Sequence, residues 1–190
     1  MKTLYIVGYT NRNPGPAGLG VVVSEPQKPC QEIAVGYRIS TDPRMHLRAF
    51  VEALKQLAPG EMARCVTCSE YVYFPVAEKR LSRWGEYYEW KIGEQPRPNR
   101  DLWEEAQVLL MEREVDMVFL KKVEGDRLLW RAHHLAKRAA AQPTLVDEGY
   151  ESSEQYRRHL ESEERSARDM EYLLARLSTK PGSAEGNGNP

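Results

Sequence analysis

The chain has few cysteines, no long hydrophobic run and almost no net charge. Its three cysteines, Cys30, Cys65 and Cys68, cannot all pair, which excludes a disulfide framework and predicts a reducing, cytoplasmic location. No apolar run approaches the roughly 20 residues of a membrane span, so we expect no membrane partner. The first seven residues become polar too early for a secretory signal.

The charge balance excludes a strong field of one sign. Lys and Arg number 27 and Asp and Glu 28, which gives a net charge of -1. Binding of a nucleic acid would therefore require a local basic patch. Apolar residues make up 41% and charged residues 29% of the 190 residues, as in ordinary globular proteins, and the length suits one domain with an appendage.

Hydrophobic patterning divides the chain into three parts. Residues 1–150 show strand patterns first and then alternating helix and strand patterns, which predicts an α/β (α+β) fold with a mixed five-stranded sheet flanked by helices. Residues 151–178 predict a C-terminal helical extension. Residues 179–190 are rich in Gly, Pro, Ser and Asn and predict a disordered tail. Predicted strands lie near 4–9, 19–23, 33–39, 65–67 and 115–120, and predicted helices near 44–57, 70–84, 101–113, 128–141 and 152–178.

The C-terminal helix carries side chains spaced alternately four and three apart, which places them on one seam. Ser152 or Ser153 can cap its start. The helix either packs on its own domain or forms a homodimer through a coiled coil of residues 152–178, and both interpretations remain open. The seam consists of Tyr156, Leu160, Glu163, Ala167, Met170, Leu174 and Leu177.

Short motifs occur in a fixed order along the first 150 residues. They are Tyr9–Asn11, Asn13–Gly18, Arg44–Leu47, Glu52–Leu54, Thr67–Val72, Asn99–Trp103, Arg131–Ala136, Ala139–Leu145 and Gly149–Tyr150. In order and spacing they resemble type 1 ribonuclease H of the bacterial kind. The resemblance covers about residues 4–150 and implies a ribonuclease H-like fold with helices on a mixed sheet.

The resemblance also implies an active centre of four carboxylates, which would hold two divalent cations about 4 Å apart. The matching positions here carry His46, Cys68 and His133 instead, and the strand-one position either carries Asn11 or falls in a gap, because the turn before Asn13 is short. Such groups cannot balance paired Mg²⁺ ions, which prefer oxygen ligands, so we expect no Mg²⁺ and no other cofactor. The main prediction is therefore a catalytically inactive pseudoenzyme that acts as a non-catalytic binding module.

Two alternatives keep a chemical role for this centre. A thiolate and two imidazoles suit Zn²⁺, so His46, Cys68 and His133 could form a zinc site. The side chain of Cys65 would point to the opposite face of the strand from Cys68 and would not take part in that zinc site. Alternatively, displaced carboxylates could support a residual RNA–DNA hybrid nuclease, with Asp42, Glu70 and Asp126 as candidates.

A mixed aromatic and basic segment is the candidate binding surface. It matches the basic handle with which the family grips the hybrid backbone, although Glu86 and Glu89 reduce its positive charge here. Its aromatic rings could stack on bases or pack on the core. The partner, RNA or DNA on the one hand or a protein on the other, remains open. The candidate residues are Arg83, Trp84, Tyr87, Tyr88, Trp90 and Lys91, with Lys121 and Lys122 further on.

Overall fold

The computed structural model describes residues 1–178. Residues 179–190, for which a disordered tail is predicted, lie outside the described residues. Met1–Glu151 form one compact unit, and a second unit begins at Ser152. Within residues 1–178, no helix has both the length and the apolar character that crossing a membrane requires.

A five-stranded mixed sheet forms the centre of the first unit, as predicted. The strands of the described residues are β1 (Lys2–Thr10), β2 (Gly15–Ser24), β3 (Gln31–Ser40), β4 (Met62–Thr67), β5 (Lys91–Ile92), β6 (Gln95–Pro96) and β7 (Glu114–Phe119). The order in the sheet is β3-β2-β1-β4-β7. Strands β1, β2 and β3 pair antiparallel, whereas β1 with β4 and β4 with β7 pair parallel. Strands β5 and β6 form a separate hairpin.

Helices flank this sheet. In the first unit they are α1 (Asp42–Leu54), α2 (Glu70–Ala77), α3 (Arg80–Glu86), α4 (Arg100–Leu110), α5 (Arg127–Ala141) and α6 (Glu148–Glu151), with a short 3-10 helix at Val123–Gly125. The second unit contains α7 (Glu154–Ser178). One core joins Leu4 of β1 to Phe50 of α1 and Trp103 of α4. The other joins Val7 of β1 to Leu129 of α5. Because both faces of β1 and β2 are covered, their sequences are nearly continuous apolar runs instead of alternating patterns.

Two glycines allow the helices to approach the backbone of the sheet closely. A Cβ atom on Gly8 would overlap the backbone nitrogen of His46 in α1. A Cβ atom on Gly20 would overlap the carbonyl oxygen of Ala132 in α5. Neither position has room for a side chain. The contact at Gly8 also brings the β1 backbone to the ring of His46.

The helix predicted over residues 70–84 is interrupted in the structure. Lys79 adopts a left-handed conformation with φ of 52°, which separates α2 from α3. A single left-handed residue commonly ends a helix. It is usually a glycine, and because the residue here is a lysine, the sequence did not predict the end of α2. The short hairpin of β5 and β6 follows α3, turns at Gly93, and was not predicted.

The predicted C-terminal helix is confirmed as α7. Its start is capped by Ser153, whose hydroxyl oxygen accepts a hydrogen bond from the backbone N–H of Tyr156 at 3.2 Å. Leu160 and Met170 of the predicted seam are exposed. Self-association through this helix stays a prediction.

Candidate active site

The four positions that match the family's carboxylates lie near one end of the sheet. Strands β1 and β4 run parallel, with Ile6 opposite Thr67, so both point toward the same end of the sheet, although β1 continues four residues further. Asn11 comes just after β1 and Cys68 just after β4. His46 from α1 and His133 from α5 reach this region from the two faces of the sheet.

Asn11 does not take part in the cluster that the other three positions form. It is exposed, and its backbone N–H donates to the carbonyl oxygen of Pro16 within the turn. The β1 side chain that contacts His133 is Tyr9, whose ring meets the imidazole edge-on at 5.7 Å between centroids. Tyr9, and not Asn11, is therefore the β1 side chain that lies beside His133. We refer to Tyr9, His46, Cys68 and His133 as the candidate active site.

His46 has a fixed hydrogen-bonding role. The backbone N–H of Gly8 donates to its Nδ1 at 3.0 Å, so the proton of the neutral ring must lie on Nε2. Nε2 is 3.9 Å from the carboxylate of Asp42. Burial lowers the pKa of His46, Asp42 opposes that shift, and His133 lowers the pKa further. The ring is therefore a neutral hydrogen-bond donor at neutral pH.

His133 is held between aromatic rings. Trp130 stacks on its ring at 5.3 Å between centroids with an interplanar angle of 10°, and Tyr9 meets its edge. Burial lowers the pKa of His133, His134 and Lys137 lower it further, and Glu124 opposes them. Its imidazole is thus uncharged at neutral pH and able to accept a proton.

The two neighbouring cysteines have different surroundings. Burial raises the pKa of the Cys68 thiol, and the negative charges of Asp42 and Glu124 add to the rise. Cys65 is fully buried in the core on the α1 side of the sheet, whereas Cys68 packs against the core on the α5 side. The prediction that the two cysteines face opposite ways is confirmed, and neither is a ready thiolate.

The predicted zinc site is not assembled. In the part of the chain that the structure describes, no three His, Cys, Asp or Glu side chains are placed to hold a metal ion. The Gly8 hydrogen bond also puts a proton on Nε2 of His46, where a metal would need a free lone pair. A protonated Cys68 thiol is likewise a poor ligand, since zinc binds the thiolate.

The acids proposed as replacements do not rebuild a magnesium site. Asp126 caps α5, where its carboxylate accepts from the backbone N–H groups of Leu128 and Leu129 at 2.7 and 3.1 Å. Glu70 is exposed at the start of α2, and Asp42 lies beside His46. Paired Mg²⁺ ions require several converging oxygen ligands. The side chains present here do not fit that pair.

The aromatic residues of the handle segment fall into two groups. Trp84 packs edge-on against Trp103 at 5.3 Å and lies 6.3 Å from Trp90 between centroids, and Trp90 is buried. Tyr87 and Tyr88 are exposed. A cavity of about 460 Å³ beside them is lined by Arg80, Arg83, Trp84, Tyr88, Lys91 and Arg97, among others. Tyr87, Tyr88 and the exposed basic residues of this segment are therefore available to a partner, whereas Trp90 is not.

Two further basic residues lie close to the candidate active site. Lys121 and Lys122 are exposed and follow β7, whose last residue pairs with Thr67 at the end of β4. The backbone N–H of Leu120 also bonds to the carbonyl oxygen of Thr67 at 2.9 Å. This places the lysine pair at the same end of the sheet as Cys68.

The buried histidine predicts a dependence of stability on pH. Because the pKa of His46 is lowered from 6.5, the unfolded chain takes up a proton at a higher pH than the folded chain does. The contribution to stability is complete above about pH 6.5 and is lost as the pH falls. We expect the free energy of unfolding in urea to decrease from pH 7 to pH 5, and His46→Gln to reduce that slope. Lys28→Gln, which replaces an exposed side chain, is the control, and an unchanged slope in His46→Gln would contradict the assignment.

Comparisons with known proteins agree with this architecture. A sequence model of the RNase H family matches residues 1–141. Ribonuclease HI of Synechocystis sp. is 29% identical over 149 residues, which cover 78% of this chain and 93% of that protein. Ribonuclease H of Cronobacter sakazakii is 32% identical over 143 residues, covering 73% and 87%.

Solved structures show the same fold. LC9-RNase H1, described as a type 1 RNase H with the type 2 active-site motif, aligns with a TM-score of 0.64 and 25% identity over 79% of this chain and 78% of that one. LC11-RNase H1 in complex with an RNA/DNA hybrid aligns with a TM-score of 0.57 and 21% identity over 75% and 98%. The predicted ribonuclease H-like fold is thereby confirmed.

The prediction of a non-catalytic pseudoenzyme is wrong. Relatives that align over most of their length are named as ribonucleases H, and no finding shows a loss of catalysis or a purely binding role. The inference failed because loss of the four carboxylates removes one way to hold metal ions but leaves the fold of the family and the two titratable imidazoles of His46 and His133 in place.

Sequence reasoning also missed part of this region. Trp130 and His134 accompany His133 on α5, with ring centroids 4.5 Å apart for the Trp130–His134 pair. Their spacing of three and four residues from Trp130 places all three rings on one helix face. That spacing was readable in the sequence and could have indicated an aromatic cluster.

Proposed function

This chain belongs to the ribonuclease H family, and from that premise we propose that it is a nuclease that cleaves the RNA strand of RNA–DNA hybrids. Its relatives are named for this class of activity, and the structure of LC11-RNase H1 was solved with such a hybrid. The expected partner is therefore a nucleic acid. A cytoplasmic location fits this proposal.

One observation carries the proposal. Burial shifts the pKa values of His46, Cys68 and His133, and smaller charge effects link the three groups to one another or to the same acids, Asp42 and Glu124. Clusters of perturbed titratable groups at one place are a feature of catalytic sites. The exposed Lys121 and Lys122 beside them supply positive charge for a phosphate backbone.

The proposal assigns no step to Mg²⁺, because the side chains present do not fit the paired ions. RNA can instead be cleaved by its own 2′-hydroxyl. In this route the imidazole of His133 accepts the 2′-hydroxyl proton while the oxygen forms a bond to phosphorus and the P–O5′ bond breaks. The leaving 5′-oxygen takes a proton from water, and the imidazolium later returns its proton to solvent. The Nε2–H of His46 donates to a phosphate oxygen, where negative charge develops.

The end groups of the products test this route. We expect the full chain, purified without a histidine tag, to cleave the RNA strand of a labelled hybrid in the presence of EDTA. The products would carry a 2′,3′-cyclic phosphate and a 5′-hydroxyl, and a 2′-O-methyl group at one nucleotide would block cleavage there. Cleavage only with Mg²⁺ or Mn²⁺ would overturn the metal-free route but keep the hybrid nuclease. No cleavage under either condition would overturn both.

The lysine pair predicts how binding responds to salt. We expect Lys121→Gln/Lys122→Gln to weaken hybrid binding at 50 mM salt and to reduce the slope of log K against log salt by about 2, since each phosphate contact contributes about 0.9. Fluorescence anisotropy with a labelled hybrid measures both quantities. Lys55→Gln/Arg64→Gln is the matched control, because Lys55 follows the end of α1 and Arg64 lies near the start of β4, away from its Thr67 end. If the test variant and the unsubstituted chain gave equal slopes, the phosphate backbone of the hybrid would not lie at Lys121 and Lys122.

A further inference from the structure

The exposed indole of Trp130 forms an aromatic surface beside the candidate active site. Trp130 is 38% exposed. It stacks in parallel on His133, and His134 meets it edge-on. Tyr9 supports His133 from another side. The four rings hold one another in place, so the indole is oriented before any ligand arrives.

A cavity adjoins this indole. It has a volume of about 410 Å³, within the range of ligand sites, and its lining includes Cys30, Arg127, Leu128, Trp130 and His134. We call it the Trp130 cavity. Indole, imidazole and leucine surfaces suit a flat aromatic ligand better than a flexible polar one.

The charged residues that line the Trp130 cavity indicate which charged group an aromatic ligand would carry. Arg131 is engaged by Glu32 through two hydrogen bonds of 2.7 and 2.8 Å, so these two charges compensate each other. Arg127 also lines the cavity and makes no ion pair within residues 1–178 that would neutralise it. The cavity therefore offers an aromatic surface and one uncompensated cation, which matches a nucleobase with its phosphate.

We infer that the Trp130 cavity binds an unpaired nucleobase of a single strand that extends from the hybrid. A base inside a duplex has both faces covered, whereas a single-stranded base has a free face for the indole. The inference rests on the proposed function for the identity of the duplex, but the stacking itself does not depend on cleavage. A strand held one helical turn from His133 would fix the register of the hybrid at the candidate active site.

Three substrates and two variants test the inference. The substrates are a blunt RNA–DNA hybrid, the same hybrid with a three-nucleotide single-stranded extension, and that extension without its bases. We expect the extension to tighten binding by the full chain by roughly 5- to 150-fold, as base–aromatic stacking does, and the abasic extension to lose this gain. Trp130→Ala should lose it too, whereas Trp130→Phe should keep most of it.

The controls separate this inference from the proposed function. Tyr172→Ala removes an exposed aromatic ring of α7 and should leave the gain from the extension unchanged. Equal affinity of the full chain for blunt and extended hybrids, or an undiminished gain in Trp130→Ala, would overturn the inference. If no hybrid binds, the proposed function fails. Binding of the isolated single strand then tests the Trp130 cavity by itself. That strand should bind the full chain and should not bind Trp130→Ala.

Discussion

His133→Ala should cleave RNA–DNA hybrids about 10²- to 10⁴-fold more slowly than the unsubstituted chain, the usual contribution of a positioned proton acceptor. The imidazole is neutral because burial and the nearby His134 lower its pKa, so it is ready to accept a proton at neutral pH. In the unsubstituted chain, activity should be full above about pH 6.5 and should fall as the pH drops through the lowered pKa. Single-turnover cleavage rates across pH 5–8 measure both effects.

A purely structural role of His133 would give a different result. Loss of packing would lower the rate equally at every pH, whereas loss of the proton acceptor would flatten the acid limb of the profile. Added imidazole should also restore part of the activity of His133→Ala. His159→Ala, which removes the histidine of α7, is the matched control. A rate for His133→Ala within ten-fold of the unsubstituted chain would refute the assignment.

Asp147→Ala should lower the free energy of unfolding by about 3–5 kcal/mol, because it breaks a buried ion pair and leaves the Nε of Arg44 and the hydroxyl of Ser40 without an acceptor, although Asp101 still binds the terminal nitrogens of Arg44. Asp147 is fully buried and accepts hydrogen bonds from Arg44 at 2.8 and 3.0 Å and from Ser40 at 2.7 Å. Arg44 is itself 1% exposed and also binds Asp101 with both of its terminal nitrogens. Removal of one carboxylate disrupts this whole network.

Urea unfolding of the full chain measures the loss. Asp116→Ala is the control, since its ion pair with Arg64 is exposed at both ends and such pairs contribute about 0–1 kcal/mol. Asp147→Asn should be milder than Asp147→Ala, because the amide keeps an acceptor oxygen for Ser40 or Arg44. A loss below about 1 kcal/mol in Asp147→Ala would show that the network does not hold the fold together.

Much of the fold could be predicted because local patterns decide it. The apolar runs of β1 and β2 and the stripes of α1 and α5 have a period and length that leave few alternatives. The break between α2 and α3 could not be predicted in this way, because a lysine such as Lys79 does not indicate a left-handed conformation. The partnership of Arg44 with Asp147 was equally hidden, since 103 residues separate the two.

The candidate site shows the same division. Matching motifs were enough to place His46, Cys68 and His133 near one another. They could not show that the Gly8 backbone donates to Nδ1 of His46, and that bond decides where the ring carries its proton. They also pointed to Asn11, although Tyr9 is the strand residue beside His133. Chemistry at the atomic level depends on hydrogen-bond direction, which residue identity alone leaves open.

The contact between Gly20 and Ala132 has a consequence for how the site tolerates mutation. Because the backbone of α5 at Ala132 lies directly against the backbone of β2 at Gly20, α5 cannot rotate about its axis without a steric clash. The orientation of His133, one residue after Ala132 in α5, and of Trp130, two residues before it, is thus determined by a residue of another element that has no side chain. Enlarging that glycine would misdirect both rings even though it touches neither of them.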